Sequence, residues 1–486
     1  MIEGNHVCHK CISDEFLSTE VKKMGKSRLC SYCQHKRKGY TLEEVSDRVE
    51  KAFFEHYERT PEEPSEYQYW MQHADKESNY HWYREGELVV DILENDLGFE
   101  AKLANDISEN LRDRYANYGS DEMYEETEFG SESHYESAGI SDREWQVQQD
   151  AFDRSLRAEA RYFNEPLRQY LQQIFEGIDE LKTYGRKTVI TEAGPGREIT
   201  GLFRARVFQN ENQLLEALSK PDQHLGSPPS RFAMGGRMNA RGISVFYGAS
   251  NPNTALAEVR PPVGSLVAVA SFILLRPVRL LNLPILAEHH ASGSVFDPNY
   301  LGRKQKSLFL RNLSQKLIVP VMPDQEDFDY LPTQALADFL SSHPILSLDG
   351  IVFPSVQTEG KGGNIVLFHK AARISAIELQ NGDSIRASAR DYDEDDEYES
   401  YSVLEVKGNK IPVPKPMTHL RDNTGQYHFD KKIEPIQDDR IETLSVNYKS
   451  MQVHRIKGIE ILKESFDVSH RVAKPVVIKE SNVRDF

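Results

Sequence analysis

From Thr41 to about Tyr184 apolar residues return every three or four positions, the period of a helix with one buried face. Leu42, Val45, Val49, Phe53 and Phe54 predict the first such helix. Leu88, Ile92, Leu97, Leu103 and Ile107 predict a second over Leu88–Tyr115. A third runs from Asp142 through Leu181, broken near Asn164-Glu165-Pro166, because proline removes an N–H donor and clashes inside a helix. Between the last two, Gly119–Ser137 is acidic and short of aliphatics, so it reads as a loop or mobile linker. Trp70 and Trp82, set among tyrosines, read as core.

After Gly185 the texture changes to short apolar runs punctuated by Gly and Pro. Strands are expected at Leu202–Phe208, Ile243–Gly248, Leu266–Leu274, Ile351–Phe353 and Ile365–His369, and helices at Pro252–Val259, Tyr300–Ile318 and Pro332–Ser341. That alternation predicts a mixed α/β unit, with no internal repeat. The longest apolar stretch, Leu266–Leu275, is interrupted by Ser271 and too short to span a bilayer, so it reads as a buried strand. From about Arg386 an acidic run, Asp391–Glu399, interrupts the chain. Beyond it lie strand-like Ser402–Val406 and Met451–Ile461, separated by the proline-rich Ile411–Pro416: a small β-rich extension or partner-binding element.

The four cysteines all fall within the first 33 residues, as Cys8-His-Lys-Cys11 and Cys30-Ser-Tyr-Cys33. Two C-x₂-C turns supply four soft ligands for a tetrahedral, structural Zn²⁺, and a disulfide scaffold would spread its cysteines through the fold. Four regions follow: a zinc ribbon over 1–40, a helical region over 41–185, a mixed α/β region over 186–385 and a β-rich extension over 386–486.

The 486 residues carry a formal charge of −17, which disfavours sequence-independent nucleic-acid binding. Residues 1–40 reverse the trend, with eight Lys or Arg against four Asp or Glu. Met1–His9 is polar where a secretory signal would be apolar, so a soluble, cytoplasmic protein without a membrane span is expected.

Phosphate loops and nucleophile elbows are missing: Gly194-Pro195-Gly196-Arg197 has neither P-loop nor dinucleotide-fold spacing and reads as a turn. The informative stretch is Gly236–Glu258. A glycine-flanked Arg237 and Asn239 precede a strand ending in Tyr247; Asn251 and Pro252 then cap and start a helix that carries Glu258 two turns in. Taken alone, Glu258 fits a surface ion pair as well as the edge of a cleft.

This stretch, together with Leu202–Arg206, Thr254–Glu258, Tyr330–Gln334, Asp349–Ser355 and Gly362–Phe368, resembles the RES domain, named for characteristic Arg, Glu and Ser residues. The resemblance covers roughly Gly201–His369 and implies an ADP-ribosyltransferase-like fold. The N-terminal knuckle and helices also resemble the HEPN-like region of some longer RES proteins. The resemblance implies an NAD⁺-degrading enzyme, an NAD⁺ phosphorylase or glycohydrolase that breaks the nicotinamide–ribose bond, acting as a bacterial toxin or antiphage-defence effector. It assigns Glu258 to the developing ribose cation, Arg237 to the pyrophosphate, Tyr247 to stacking on nicotinamide and Ser355 to ribose or the amide. Arg204, Arg206, Asn239, Gly363 and Asn364 are further candidates for substrate binding. Inorganic phosphate is an optional co-substrate, and the expected partners are an antitoxin or defence protein and a second copy of the chain. The alternatives are a protein ADP-ribosyltransferase and a HEPN-type RNase with an R-x₄₋₆-H pair. That spacing occurs only outside the helical region, at Arg28–His35 and Arg421–His428.

Overall fold

The computed structural model describes residues 4–73, 81–116, 126–159, 161, 163–322, 324–358, 360–380, 383–393, 396–407, 438–460 and 463–469. The Ile411–Pro416 connection and the Arg421–His428 pair lie outside the described residues.

Short apolar runs after Gly185 assemble into one eight-stranded sheet. Its strands are β1 (Ile190–Ala193), β2 (Gly201–Phe208), β3 (Phe246–Ala249), β4 (Leu266–Leu274), β5 (Val278–Asn282), β6 (Gly350–Pro354), β7 (Gly363–Leu367) and β8 (Leu444–Arg455). Across the sheet the order is β8-β4-β2-β3-β7-β6-β5-β1, and only the β5–β6 pair is parallel. One face buries Leu202, Phe246 and Phe272 in a core of their own. The other face is covered by helices α1 (Arg143–Ala158), α2 (Glu165–Phe175), α3 (Pro252–Glu258), α4 (Tyr300–Lys316) and α5 (Leu331–Ser342). The break expected near Pro166 separates α1 from α2. Asn164 caps α2, accepting from the Leu167 N–H, and Pro166 sits in its first turn, where its missing N–H costs nothing.

The N-terminal segments have a separate core. Val7, Leu17 and Val21 of the cysteine-bearing segment pack with Val45, Phe53, Leu93 and Ile107 of the helices after it. Phe152, Leu156 and Leu171 of α1 and α2 instead pack with Phe309 and Leu336 of the α/β region. Along the chain the residues of the N-terminal core end at Tyr135 and those of the core shared by α1, α2 and the α/β region begin at Trp145, while Val295 and Phe296 pack back against the N-terminal core.

Several expectations are corrected. The single helix over Leu88–Tyr115 is two, Val89–Asn95 and Ala101–Tyr115, because Gly98 takes a left-handed φ of 71° and the Phe99 N–H closes back on Leu93 O. The described part of Gly119–Ser137 is ordered: His134–Ser137 is a strand, and Phe129 and Tyr135 are buried against Phe53. Aromatic burial there supplies what the missing aliphatics do not. Trp70 is exposed, stacked on Tyr67 along the surface helix Glu66–His73, and is not core. The C-terminal segment is less separate than expected, since β8 completes the main sheet against β4. The described part of the acidic run lies in the antiparallel strands Ser384–Asp393 and Asp396–Val406. Gly194–Arg197 is the turn joining β1 to β2, closed by Arg197 N–H to Gly194 O at 3.1 Å.

Candidate active site

Strands β2 and β4 pair along their whole length, but β2 and β3 share a single pair, Phe203 with Ala249. The sheet splays at this seam, and a cleft of about 370 Å³ opens between the two strands and the end of α3. Arg204, Arg237, Tyr247, Glu258 and Asn364 line it.

Helix α3 begins as its sequence dictates: the Asn251 side chain accepts from the Thr254 N–H at 2.8 Å and Pro252 sets the first turn. Ala255 packs against Ala205 and Ala249, and these small side chains let the helix lie close on the sheet. Glu258, its last residue, thereby reaches the cleft, where it is exposed. Ser355 Oγ donates to Glu258 Oε1 at 2.5 Å and Asn364 Nδ2 donates to the same oxygen at 2.8 Å. Both donors are buried. Short donors to an ionised carboxylate are the strong class of hydrogen bond, and two of them fix the group's direction. Oε2 has no partner among the described residues. Ser355 follows β6 and is tied to the next strand through its N–H, which donates to Gly362 O. Gly362 lets the two segments approach closely: a Cβ there would lie 2.0 Å from Thr254 Oγ1. Ser355, expected to touch substrate, is thus wholly enclosed and spends its hydroxyl on Glu258.

Arg237 and Tyr247 belong to one clamped loop. The Tyr247 hydroxyl donates to Asn239 Oδ1 and accepts from the Met238 N–H, and burial raises its pKa to about 12. Asn239 Nδ2 is spent on the carbonyls of Met234, Ala240 and Ile243, so this residue shapes the loop behind the cleft and is not brought to its surface. Gln334 Nε2 donates to Gly236 O, and Thr333 Oγ1 donates to Arg237 O. The Tyr330–Gln334 block is therefore a second clamp on the same loop. The Arg237 guanidinium lies over the Tyr330 ring, 5.6 Å from its centre, and donates to Leu317 O at 2.6 Å.

Arg204 lies over the Phe246 ring, with Nη1 buried and unpartnered. Burial, reinforced by the charge of Arg206, pulls its pKa down to about 10. A cation with an enclosed, unpartnered N–H group and no counter-ion is costly, and it marks a place where an anion would be favoured. Arg206 shares this strand face but sits one pleat farther along, donates to His224 O and is not part of the cleft. Gly363 is likewise outside: its N–H donates to Ser250 Oγ and its carbonyl accepts from the Ser250 N–H. Arg260 and Gln357, which line the cleft, drew no attention in the sequence, where nothing distinguishes them from surface residues.

The four cysteine sulfurs lie within 4.8 Å of one another. The Cys8–Cys33, Cys8–Cys11 and Cys11–Cys30 separations are 3.6, 3.8 and 3.8 Å. Sulfurs about 2.3 Å from a tetrahedral ion would be roughly 3.8 Å apart, whereas a disulfide would need about 2.05 Å. The site fits a metal held by Cys8, Cys11, Cys30 and Cys33. Arg28, half of one R-x₆-H pair, is joined to His6 at 2.9 Å, and His35 to Cys33 O. Among the described residues no helix is long and apolar enough to cross a membrane.

Residues 205–391 match the family model described as the RES domain. No curated protein and no solved structure matches the chain.

Proposed function

We propose, from the premise that this chain carries a RES domain, that its cleft binds NAD⁺ and breaks the nicotinamide–ribose bond. The observation that carries the reading is the Glu258 carboxylate, held by two buried donors on one oxygen in a cleft that also contains a half-buried arginine whose Nη1 is enclosed and unpartnered. Nicotinamide carries positive charge in NAD⁺ and leaves neutral, so that charge moves to the ribose as the bond breaks. A carboxylate fixed beforehand beside the ribose stabilises this cation with little reorganisation. Ser355 and Asn364 are positioning residues that hold Glu258 through Oε1 and leave Oε2 for the sugar.

Arg204 supplies a cation that lacks an anion, and the pyrophosphate supplies one; Arg237, half-buried over Tyr330, is the second phosphate contact. The Tyr247 ring, anchored by its hydroxyl, forms the wall against which nicotinamide rests. The cysteine site holds a structural Zn²⁺, which locks the N-terminal strands and takes no part in the reaction. In the cell such an enzyme acts as a toxin or antiphage-defence effector. Its activity is restrained by a partner such as an antitoxin, and it works as a homo-oligomer in the cytoplasm.

The test uses the leaving group. Purified full-length protein incubated with NAD⁺ releases free nicotinamide, measured by liquid chromatography. NADH, whose dihydronicotinamide carries no positive charge, is left intact. Intact NAD⁺ after prolonged incubation, or equal loss of NADH, contradicts the reading.

A further inference from the structure

The strands Lys26–Leu29 and Lys36–Thr41 form an antiparallel ribbon whose tip is the second cysteine turn, Cys30–Cys33. Its charge runs against that of the chain. Residues 1–40 hold eight Lys or Arg, and five of them, Lys26, Arg28, Lys36, Arg37 and Lys38, lie on the ribbon. None of the three described acids of this segment answers them. Asp14 caps the helix Glu15–Met24 by accepting from the Leu17 N–H, Glu20 pairs with Arg48 at 2.7 Å, and Glu15 stands at the opposite end of that helix from Lys22 and Lys23. Among the described residues the five ribbon cations form no ion pair. Arg28 faces Arg37 directly across the ribbon, and like charges so placed are destabilising. Cations on an edge strand guard against stray pairing, and Lys26–Leu29 is an edge strand, exposed throughout. That reason does not cover Lys36, Arg37 and Lys38, which lie on the central strand of the three.

We infer that this ribbon is a docking surface for double-stranded DNA, which it enters between the two phosphate walls of the major groove. Side chains alternate along a strand and cross-strand partners share a face. Lys26, Arg28 and Arg37 therefore stand on one face, and Lys36 and Lys38 on the other. A planar anionic surface such as a bilayer meets one face only; a groove flanked by phosphates meets both. The major groove of B-form DNA is about 12 Å wide and admits a two-stranded ribbon, whereas that of A-form RNA is too narrow. A single strand would call for exposed aromatic rings on which bases stack. The ribbon offers no exposed Phe, Tyr or Trp: Tyr40 is buried, and Tyr32 at the tip is half-buried and donates to Asp106 at 2.7 Å. The −17 of the whole chain acts weakly here, because at 0.1 M salt charges beyond about 10 Å are screened. The ribbon shares no residue with the NAD⁺ cleft, and the inference does not depend on the cleft's chemistry.

The test titrates full-length protein, purified in zinc-containing buffer, against a fluorescein-labelled DNA duplex of mixed sequence, followed by anisotropy over a range of salt concentrations. Wild type is expected to bind at low salt, with log Kd rising against log salt at a slope of about 4.5, or about 0.9 for each ribbon cation on a phosphate. The triple variant Arg28→Gln, Lys36→Gln, Arg37→Gln changes only exposed or half-buried side chains, so melting temperature and zinc content should hold. It should weaken binding about tenfold or more at low salt and lower the slope by about 2.7. The double variant Lys26→Gln, Lys38→Gln, which spares both arginines, should lower the slope by about 1.8. Absence of duplex binding at low salt overturns the inference, as does an unchanged Kd in both variants. Equal or tighter binding to single-stranded DNA, duplex RNA, polyglutamate or phosphatidylserine vesicles overturns it also, since each removes the reason for a two-walled groove.

Discussion

Replacing Ser355 by alanine separates two roles for a residue at this position. The side chain is fully buried and its hydroxyl donates to Glu258 Oε1 at 2.5 Å, so its influence on NAD⁺ passes through the carboxylate. A hydrogen bond to a charged group contributes about 1.5–3 kcal/mol. Glu258 faces the open cleft, where water can replace the lost donor, and Asn364 still holds the same oxygen, so the lower figure applies. A loss of ~1.4 kcal/mol of transition-state stabilisation is about a tenfold fall in rate. Steady-state nicotinamide release should therefore show kcat down about tenfold in Ser355→Ala, with the KM for NAD⁺ within about twofold. Adding Asn364→Ala should deepen the loss towards that of Glu258→Gln. In the Glu258→Gln background Ser355→Ala should add almost nothing, because residues that act as a unit are not additive. A raised KM with kcat intact would place Ser355 against the substrate and refute the positioning role. So would an equal tenfold loss in the Glu258→Gln background.

Arg204→Met removes a half-buried charge whose Nη1 is enclosed and unpartnered: the ligand-free protein should melt at the same temperature or higher, while the KM for NAD⁺ rises about tenfold or more, checked by calorimetry and kinetics. Gly362→Ala would bring a Cβ to 2.0 Å from Thr254 Oγ1 and 3.1 Å from Thr254 Cβ, so the Thr254 side chain and the start of α3 must give way. Such overpacking costs about 1–3 kcal/mol, so both the melting temperature and kcat should fall. Elemental analysis should find one zinc per wild-type chain and less than stoichiometric zinc in Cys8→Ser, with faster proteolysis within residues 4–60 and little change in nicotinamide release.

What could be read in the sequence was local. The Asn251-Pro252 start of α3, the break at Pro166, the β4 apolar run and the paired cysteine turns each state their structure within a few residues. The candidate site was half legible. Arg237, Tyr247 and Glu258 share one stretch, but the donors that aim Glu258 lie 97 and 106 residues away along the chain. Pairing over such distances depends on sheet order, and periodicity carries no information about it. The same limit hid β8, which crosses from the far end of the chain to pair with β4, and made Arg206 look equivalent to Arg204. Both arginines do share a face, yet one more pleat carries Arg206 out of the cleft. Asn239 and Gly363 looked available for ligand because nothing in the sequence reveals that their polar groups are already engaged.

The central claim, that Glu258 acts on the reacting sugar and not merely on binding, is tested most directly by Glu258→Gln at saturating NAD⁺. The amide keeps the shape and loses the charge. NAD⁺ affinity by titration calorimetry should stay within a few-fold of wild type, while nicotinamide release falls about a hundredfold or more. Release at the wild-type rate from the glutamine variant would contradict the account.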